Sequence, residues 1–294
     1  MPSSSKHPPA GPAEPRPALV RPVRFVKYYD KGSTDMGGEQ ISAALAATGV
    51  QSATMYARDL AAIRRSVLVF IKTSRIDHLL LARARGNRLV LDVQDTPCFK
   101  RRIKNRALFH GLLFKNARQL ADFGRPGALN RVIYHQWDPR YAPHTAGESE
   151  LRVGYIGLAR SLELWASIPG VQFVDHIEVS DFFAAARAFN CHLSLRSARR
   201  DQLYKPNAKI STAAACNAVL ITNRDASAVE LLGEDYPYYT AGVSLPDVNA
   251  TIELARRTIG GSLWRQALAR LGEVRERTRI ERIAEDYVDF LSAV

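Results

Sequence analysis

The chain has 294 residues, a formal net charge of +12 and a hydrophobic content of 46%, the composition of a soluble globular protein long enough for two ordinary cores. Its three cysteines, Cys98, Cys191 and Cys216, form no CxxC pair, which argues against a zinc site or a disulfide framework and favours a reducing cytoplasm. No apolar run approaches the ~20 residues that span a bilayer, and the positive charge favours a polyanionic partner such as nucleic acid, anionic lipid or a phosphorylated substrate.

The N-terminal stretch, residues 1–21, is rich in proline, serine and alanine and lacks the apolar segment of a signal peptide. Because proline cannot donate the hydrogen bonds of a helix or sheet, we predict a disordered leader there. RFVKYY (24–29) then has the composition of a strand, DKGSTDMGG (30–38) that of a glycine-rich loop, and EQISAALAATG (39–49) that of a helix. Strand, glycine loop and helix in this order are typical of a nucleotide-binding α/β unit.

Strand and helix patterns alternate along the rest of the first half, which predicts a parallel sheet. The strands are VLVFI (67–71) and RLVLDV (88–93), and the helix between them covers residues 75–86. The remaining segments of this half are a basic stretch (98–131), a strand (130–135) and a polar linker (141–150).

The pattern restarts with the strand and glycine turn LRVGYIG (151–157). Predicted strands cover 171–177, 191–195 and 217–222, and predicted helices cover 181–189, 209–216 and, without interruption, 262–294. We therefore predict an α/β chain of two Rossmann-like domains facing across a cleft. The expected division is a leader (1–21), an N-terminal domain (22–145), a C-terminal domain (146–275) and a terminal helix (276–294) that crosses back to the first domain.

The segment 203–232 has the features of an anion site at a helix start. Pro206 suits the first turn, where its missing N–H is not needed, and a helix N-terminus offers free N–H groups and a partial positive charge. Lys205 and Lys209 flank this start, and Arg196 follows the preceding strand. Because ligands of open α/β sheets bind beyond the carboxyl ends of the strands, these cations predict a diphosphate site.

The same segment resembles the donor-binding stretch of GT-B glycosyltransferases, in which a lysine-proline pair precedes an alanine-rich helix, an apolar strand and a glutamate. The matching positions are Lys205, Pro206, Asn207, Lys209, Ile210, Ala213–Ala215, Cys216, Val219–Thr222 and Glu230. Residues 132–141, with Asp138 and Tyr141, are similar to the segment that closes the first domain in this fold. Residues 151–157 resemble the opening of the second domain.

The resemblance implies transfer of a glycosyl unit from a nucleotide-diphosphate sugar, held by the second domain, to an acceptor hydroxyl presented by the first. It is closest to divergent bacterial polysaccharide transferases. The donor-binding residues that it implies are Gly37, Gly38, Arg160, Arg196, Tyr204, Lys205, Asn207, Lys209, Thr212 and Glu230. Retaining members often carry two glutamates separated by seven residues; Tyr204 and Thr212 stand at their places here, so the stereochemical outcome is left open.

An inverting enzyme of this fold needs a catalytic base, and the candidates are Asp30, Asp35 and Asp95, which end strands or loops facing the proposed cleft. The sequence has no evident DxD motif. We therefore expect a metal-independent hexosyltransferase without a cofactor, in which basic side chains offset the charge of the leaving diphosphate.

Two other functions stay open. A catalytically inactive GT-B scaffold is consistent with the missing glutamates, and a basic nucleic-acid-binding α/β protein is consistent with the charge, although no signature of such a protein is present. For the enzyme, the expected acceptor is a glycan or a lipid-linked glycan in surface polysaccharide or glycolipid synthesis, with no specific nucleic acid. A basic cluster predicts that this cytoplasmic protein docks peripherally on the inner face of the membrane: Lys100, Arg101, Arg102, Lys104 and Arg106.

Overall fold

The computed structural model describes residues 21–94, 103–157, 168–174, 179–196 and 204–294. The first domain is built on a six-stranded parallel sheet with the strand order β2-β1-β3-β4-β5-β6. Its strands are β1 (Val23–Lys27), β2 (Ser52–Tyr56), β3 (Val67–Ile71), β4 (Arg88–Asp92), β5 (Gly111–Phe114) and β6 (Leu129–Val132). Every residue of β3 is buried, as expected for a central strand that is covered on both faces.

Helices cover both faces of this sheet. They are α1 (Gly32–Thr34), a π-helical segment (Asp35–Gln40), α2 (Ile41–Ala47), α3 (Ile76–Ala84) and α4 (Ala117–Phe123), with 3-10 turns at Ala57–Ala62 and Ile103–Leu108. The core is accordingly split in two, because one apolar cluster contains Phe25 and Leu45 and the other contains Phe70 and Leu79.

The prediction of a glycine-rich loop at residues 30–38 is wrong, because this segment is helical from Gly32 onward. The first turn is stabilised by the Lys31 amide, which donates to Thr34 Oγ1 at 2.9 Å. The two glycines then allow close packing on the sheet. A Cβ at Gly38 would lie 2.5 Å from Ile71 Cδ1, and one at Gly37 would lie 2.8 Å from Gln94 Nε2.

The second domain is built on a five-stranded parallel sheet with the order β11-β10-β9-β7-β8. Its strands are β7 (Val153–Ile156), β8 (Val171–Val174), β9 (Cys191–Ser194), β10 (Val219–Asn223) and β11 (Tyr239–Thr240). Its helices are α5 (Val179–Ala186), α6 (Ala208–Ala215), α7 (Ala226–Leu232), α8 (Leu245–Thr258) and α9 (Ser262–Arg277). Two parallel sheets with helices confirm the predicted α/β class and the two Rossmann-like domains.

The uninterrupted helix predicted for residues 262–294 is wrong. The chain turns at Thr278 and Arg279, where the backbone leaves helical geometry, and continues as α10 (Ile280–Ser292). The apolar side chains of α9 pack into the core of the second domain, whereas Tyr287 and Phe290 of α10 pack into the core of the first. Because the apolar side chains of α9 and α10 pack into different cores, the helix axis must change direction between the two helices.

The domain bounds expected from the sequence stay a prediction. Within the described ranges, no helix is both long and apolar enough to cross a membrane.

Candidate functional site

A cavity of about 250 Å³ lies between the two domains. The residues that line it come from the segments that follow β1 and β6 in the first domain and from β7, α5, β9, α6 and β10 in the second. They are Gly32, Asp35, Met36, Asp138, Arg140, Tyr141, Ile156, Gly157, Phe182, Phe183, His192, Leu193, Ala208, Lys209, Thr212 and Leu220. A ligand in this cavity would contact both domains at once.

The polar part of the second-domain wall is formed by α6 and the turn after β7. Lys209 lies in the first turn of α6, and Thr212 follows one turn later on the same side. The Lys209 ammonium is buried and sits over the Tyr155 ring, 3.4 Å from its centroid. A Cβ at Gly157 would lie 3.4 Å from Lys209 Nζ, and Gly157 has φ +127°. The glycine therefore brings bare backbone next to a cation at a helix start, which favours an anionic ligand group.

The first-domain wall carries an arginine held between two carboxylates. Arg140 donates to Asp35 Oδ2 at 2.9 Å and, through Nε, to Asp138 Oδ1 at 2.8 Å. Burial alone would raise the pKa of Asp138, but hydrogen bonds from Arg140 and Gln40 outweigh it, and the pKa is lowered. The Asp35 side chain is 42% exposed, and that of Asp138 is 3% exposed. Asp35 is therefore the carboxylate that a ligand can reach.

An aromatic group forms another part of the wall. The Arg140 guanidinium lies over Phe183, 4.4 Å from the ring centroid, and the Tyr141 ring meets Phe183 edge-on at 4.7 Å. Burial raises the pKa of Tyr141 to about 12 and lowers the pKa of His192 to about 4. Both side chains are therefore neutral at pH 7, and this part of the cavity suits a flat, uncharged ring.

Three of the site residues predicted from the sequence line the cavity: Asp35, Lys209 and Thr212. The structure brings them together from the two domains. Arg160 and Asp95, also predicted, lie outside the described residues, as do Lys100, Arg101 and Arg102 of the basic cluster.

Tyr204 and Asn207 point to the first domain instead of into the cavity. The Tyr204 hydroxyl donates to Asp122 Oδ2 at 2.8 Å, and its ring lies 4.8 Å from that of Phe123. Asn207 Oδ1 accepts from the His135 amide at 3.0 Å, and Asn207 Nδ2 donates to the His135 carbonyl at 3.1 Å. In this structure both side chains join the domains.

Glu230 has the same role. One carboxylate oxygen accepts from the Ala117 amide at 2.9 Å, at the start of α4, and the other accepts from the Tyr134 hydroxyl at 2.7 Å. Burial and the bond to Glu230 raise the pKa of Tyr134 to about 12. Glu230 therefore caps a helix of the opposite domain.

Among the described residues, the remaining predicted ones do not line the cavity: Asp30, Gly37, Gly38, Arg196 and Lys205. Arg196 donates to the Pro206 carbonyl at 3.2 Å, and burial lowers its pKa. The Lys205 carbonyl accepts from Ser227 Oγ at 3.1 Å. Asp30 pairs with Lys27 at 2.8 Å and accepts from Tyr56 at 2.5 Å; the bond to Lys27 is the main cause of its lowered pKa. Among the base candidates that the structure describes, Asp35 is the one at the cavity.

The sequence interpretation missed most of the other lining residues, among them Met36, Arg140, Phe183 and His192. Arg140 could have been found, because it lies two residues after Asp138, which the resemblance had already singled out. Phe183 carried no signal beyond an apolar helix. Among the residues that the structure describes, no group of three or more histidine, cysteine or acidic side chains could hold a metal ion.

No protein-family model matches the sequence, and no curated protein matches it. Solved structures do match. HepE of Anabaena, solved with UDP and glucose, has a TM-score of 0.66 at 9% identity, covering 93% of this chain and 100% of that chain. Sucrose-phosphate synthase from Thermosynechococcus elongatus has 0.61 at 11%, covering 91% and 97%. A glycosyltransferase from Rickettsia africae has 0.64 at 8%, covering 93% and 98%. The chain therefore has the GT-B fold, as predicted.

Proposed function

We propose that the protein is a glycosyltransferase that moves a sugar from a nucleotide-diphosphate sugar to an acceptor hydroxyl. The observation that carries the proposal is the cavity between the domains, where Lys209 and Thr212 of α6 face Asp35 and Arg140 across the space. The GT-B fold and the UDP and glucose held by HepE support it. A cavity with one wall from each domain can hold a donor against one wall and an acceptor against the other.

The proposed donor lies along the second-domain wall. Its diphosphate contacts Lys209, the bare backbone at Gly157 and the first N–H groups of α6, which together offset the charge that develops on the leaving group. Its base stacks in the aromatic part of the cavity, beside Phe183. We propose a hexose as the sugar and no metal requirement, since the cation and the helix start supply the positive charge.

Asp35 is the proposed general base of an inverting transfer. Its carboxylate takes the proton of the acceptor hydroxyl while the acceptor oxygen bonds to the anomeric carbon and the bond from that carbon to the diphosphate breaks. Arg140 fixes the orientation of Asp35 through the 2.9 Å hydrogen bond. The acceptor proposed is a glycan or lipid-linked glycan of bacterial surface polysaccharide or glycolipid synthesis, reached by a peripheral membrane protein.

A calorimetric screen against UDP-, GDP-, dTDP-, ADP- and CMP-sugars tests the proposal, with Lys209→Ala as the diagnostic variant. A charge-assisted contact to a desolvated anion is worth ~1.5–3 kcal/mol, so the variant should bind the preferred nucleotide roughly ten- to a hundredfold more weakly. The matched control is Arg257→Ala, which removes an exposed cation from α8 and should leave the affinity unchanged. Absence of binding to all five donors, or equal affinity of the Lys209 variant and the parent protein, would reject the proposed site.

A catalytically inactive GT-B scaffold is the second candidate. The observation that favours it is that Tyr204 and Glu230 are engaged in contacts between the domains. Donor binding without hydrolysis or transfer across a broad acceptor panel would support this candidate over the enzyme.

A further inference from the structure

Helix α3 carries large apolar side chains on its exposed side as well as on its buried side, and the exposed side also holds Asp77 and Arg83. Leu79 and Ala82 point into the first-domain core, as expected for a helix that packs on a sheet. Ile76 and Leu80, one turn apart, each remain 53% exposed, and among the described residues they are the large apolar side chains most open to solvent. A helix at the surface of a globular protein normally presents polar residues on its outer face, so this face needs an apolar environment to cover it.

Arginines surround one end of the exposed stripe. Arg64 and Arg65 precede β3, and Arg88 begins β4. Arg83 is in the last turn of α3, and Arg85 directly follows that helix. Because β3 and β4 are parallel neighbours, these residues meet at the same edge of the sheet. Arg64, Arg65, Arg83 and Arg88 are exposed. Arg75, at the other end of α3, forms an ion pair with Asp77 at 2.8 Å and does not belong to this arginine cluster.

Arg83 and Arg88 also lie near one another, since both act on the same side chain, His110. Burial is the largest cause of its lowered pKa, and Arg83, Arg88 and Arg125 lower it further. Arg83 is fixed at this edge by its hydrogen bond to the Leu108 carbonyl at 2.9 Å. The face therefore combines fixed positive charge with two aliphatic side chains.

We infer that this α3 face, formed by Ile76, Leu80, Arg64, Arg65, Arg83, Arg85 and Arg88, docks on an anionic lipid bilayer. Arginines bind lipid phosphates at the headgroup level, and aliphatic side chains of a surface helix enter the acyl boundary beneath them. A nucleic acid would engage the arginines and leave Ile76 and Leu80 uncovered. The inference rests on the proposed membrane location of the acceptor, but lipid binding and sugar transfer are measured separately.

The position of α3 is compatible with the proposed reaction. Ile76 begins the helix shortly after the carboxyl end of β3, the same edge of the sheet at which Gly32 and Met36 reach the cavity. From this edge α3 runs back toward the opposite edge of the sheet, where Arg64, Arg65 and Arg88 lie, so the end of the helix that carries Ile76 is the end nearer the cleft.

Flotation of the full chain with vesicles of phosphatidylcholine, with or without a third of phosphatidylglycerol, tests the inference. The parent protein should float with the anionic vesicles only, and less at high salt. Arg64→Ser with Arg88→Ser should weaken binding roughly 30-fold, at about a factor of five for each basic residue. The matched control, Arg257→Ser with Arg279→Ser, removes the same charge from exposed sites elsewhere and should bind within about twofold of the parent.

The apolar pair is tested separately. Ile76→Ser with Leu80→Ser should reduce vesicle binding roughly tenfold at unchanged charge. Leu80→Trp should show a blue-shifted emission on anionic vesicles beyond any change in the parent protein, which has three native tryptophans. Equal binding of neutral and anionic vesicles, or unchanged binding after Ile76→Ser with Leu80→Ser, would overturn the inference. Suppose instead that the protein binds duplex RNA, that Arg64→Ser with Arg88→Ser abolishes this binding, and that Ile76→Ser with Leu80→Ser leaves it intact. The partner of the α3 face would then be a nucleic acid and not a bilayer. None of these results depends on nucleotide-sugar binding.

Discussion

Removal of the Asn207 side chain should loosen the junction between the domains. Asn207 is 1% exposed, and its side-chain amide forms two hydrogen bonds with the His135 backbone. Oδ1 accepts from the His135 N–H at 3.0 Å, and Nδ2 donates to the His135 carbonyl at 3.1 Å. It also donates to Ser211 Oγ at 2.6 Å. In Asn207→Ala the buried His135 amide loses the acceptor that Asn207 supplies, whereas the His135 carbonyl keeps the hydrogen bond from Ser211 Oγ at 3.2 Å.

The size of the effect follows from these contacts. A buried donor left unsatisfied costs ~1–3 kcal/mol, and the other lost hydrogen bonds add about 1 kcal/mol. The expected loss of unfolding free energy is therefore about 2–4 kcal/mol, which lowers Tm by about 5–10 °C for a chain of this size. Ser211→Ala removes only the hydroxyl contacts and should cost about 1 kcal/mol.

Differential scanning calorimetry measures the series. The control is Gln266→Ala, an exposed position of α9 where a substitution changes stability by no more than ~0.5 kcal/mol. The expected order of Tm is Gln266→Ala, then Ser211→Ala, then Asn207→Ala, with the last the lowest. A Tm for Asn207→Ala that matches that of Gln266→Ala would show that the amide pair does not hold the domains together.

Three further predictions concern pH, catalysis and metal. Burial lowers the pKa of both His135 and His192 to about 4; since an unfolded histidine titrates near ~6.5, the unfolded state takes up protons first as pH falls. Stability should thus be full above pH ~6.5 and decline toward pH 4 by about 3 kcal/mol per histidine, and urea midpoints that stay constant between pH 7 and 4.5 would contradict this. Asp35→Asn should lower kcat by about 10²–10⁴ with little change in nucleotide affinity, and a variant that turns over normally would remove Asp35 as the base. Turnover should survive EDTA, and activity that is lost with chelator and restored by magnesium or manganese would disprove the metal-independent transfer.

The fold was predictable from the sequence because its signals are repeated along the chain. Continuous apolar runs such as VLVFI and RLVLDV indicate strands buried on both faces, and both are found as β3 and β4. The strand β2 gave no such signal. Its sequence SATMY has half-exposed or exposed residues throughout, since it lies at the edge of the sheet and is covered less than the central strands.

The helical segment after β1 shows a second limit. DKGSTDMGG has the composition of a loop, yet it is helical because Thr34 closes the first turn and the sheet accepts the two glycines at short range. Composition reports the intrinsic preference of a segment. The packing of Gly38 against Ile71 is a tertiary contact that no local pattern contains.

The segment 204–212 explains why the candidate site was only partly predictable. Tyr204 and Asn207 face the first domain, whereas Lys209 and Thr212 face the cavity, although all four stand in one stretch that resembles a donor-binding motif. A sequence pattern identifies such a stretch as a unit. Which side chain faces which neighbour depends on where the other domain lies.

The same arrangement couples the junction to the proposed donor site. Asn207 immediately precedes α6, and the His135 backbone that holds it belongs to the first domain. The first turn of α6 carries Lys209 and the free N–H groups that would receive the diphosphate. A displacement of the domains therefore moves this helix start, so Asn207→Ala should weaken nucleotide binding as well as lower Tm. Lys209→Ala acts on the cation directly and should weaken binding with little effect on the junction.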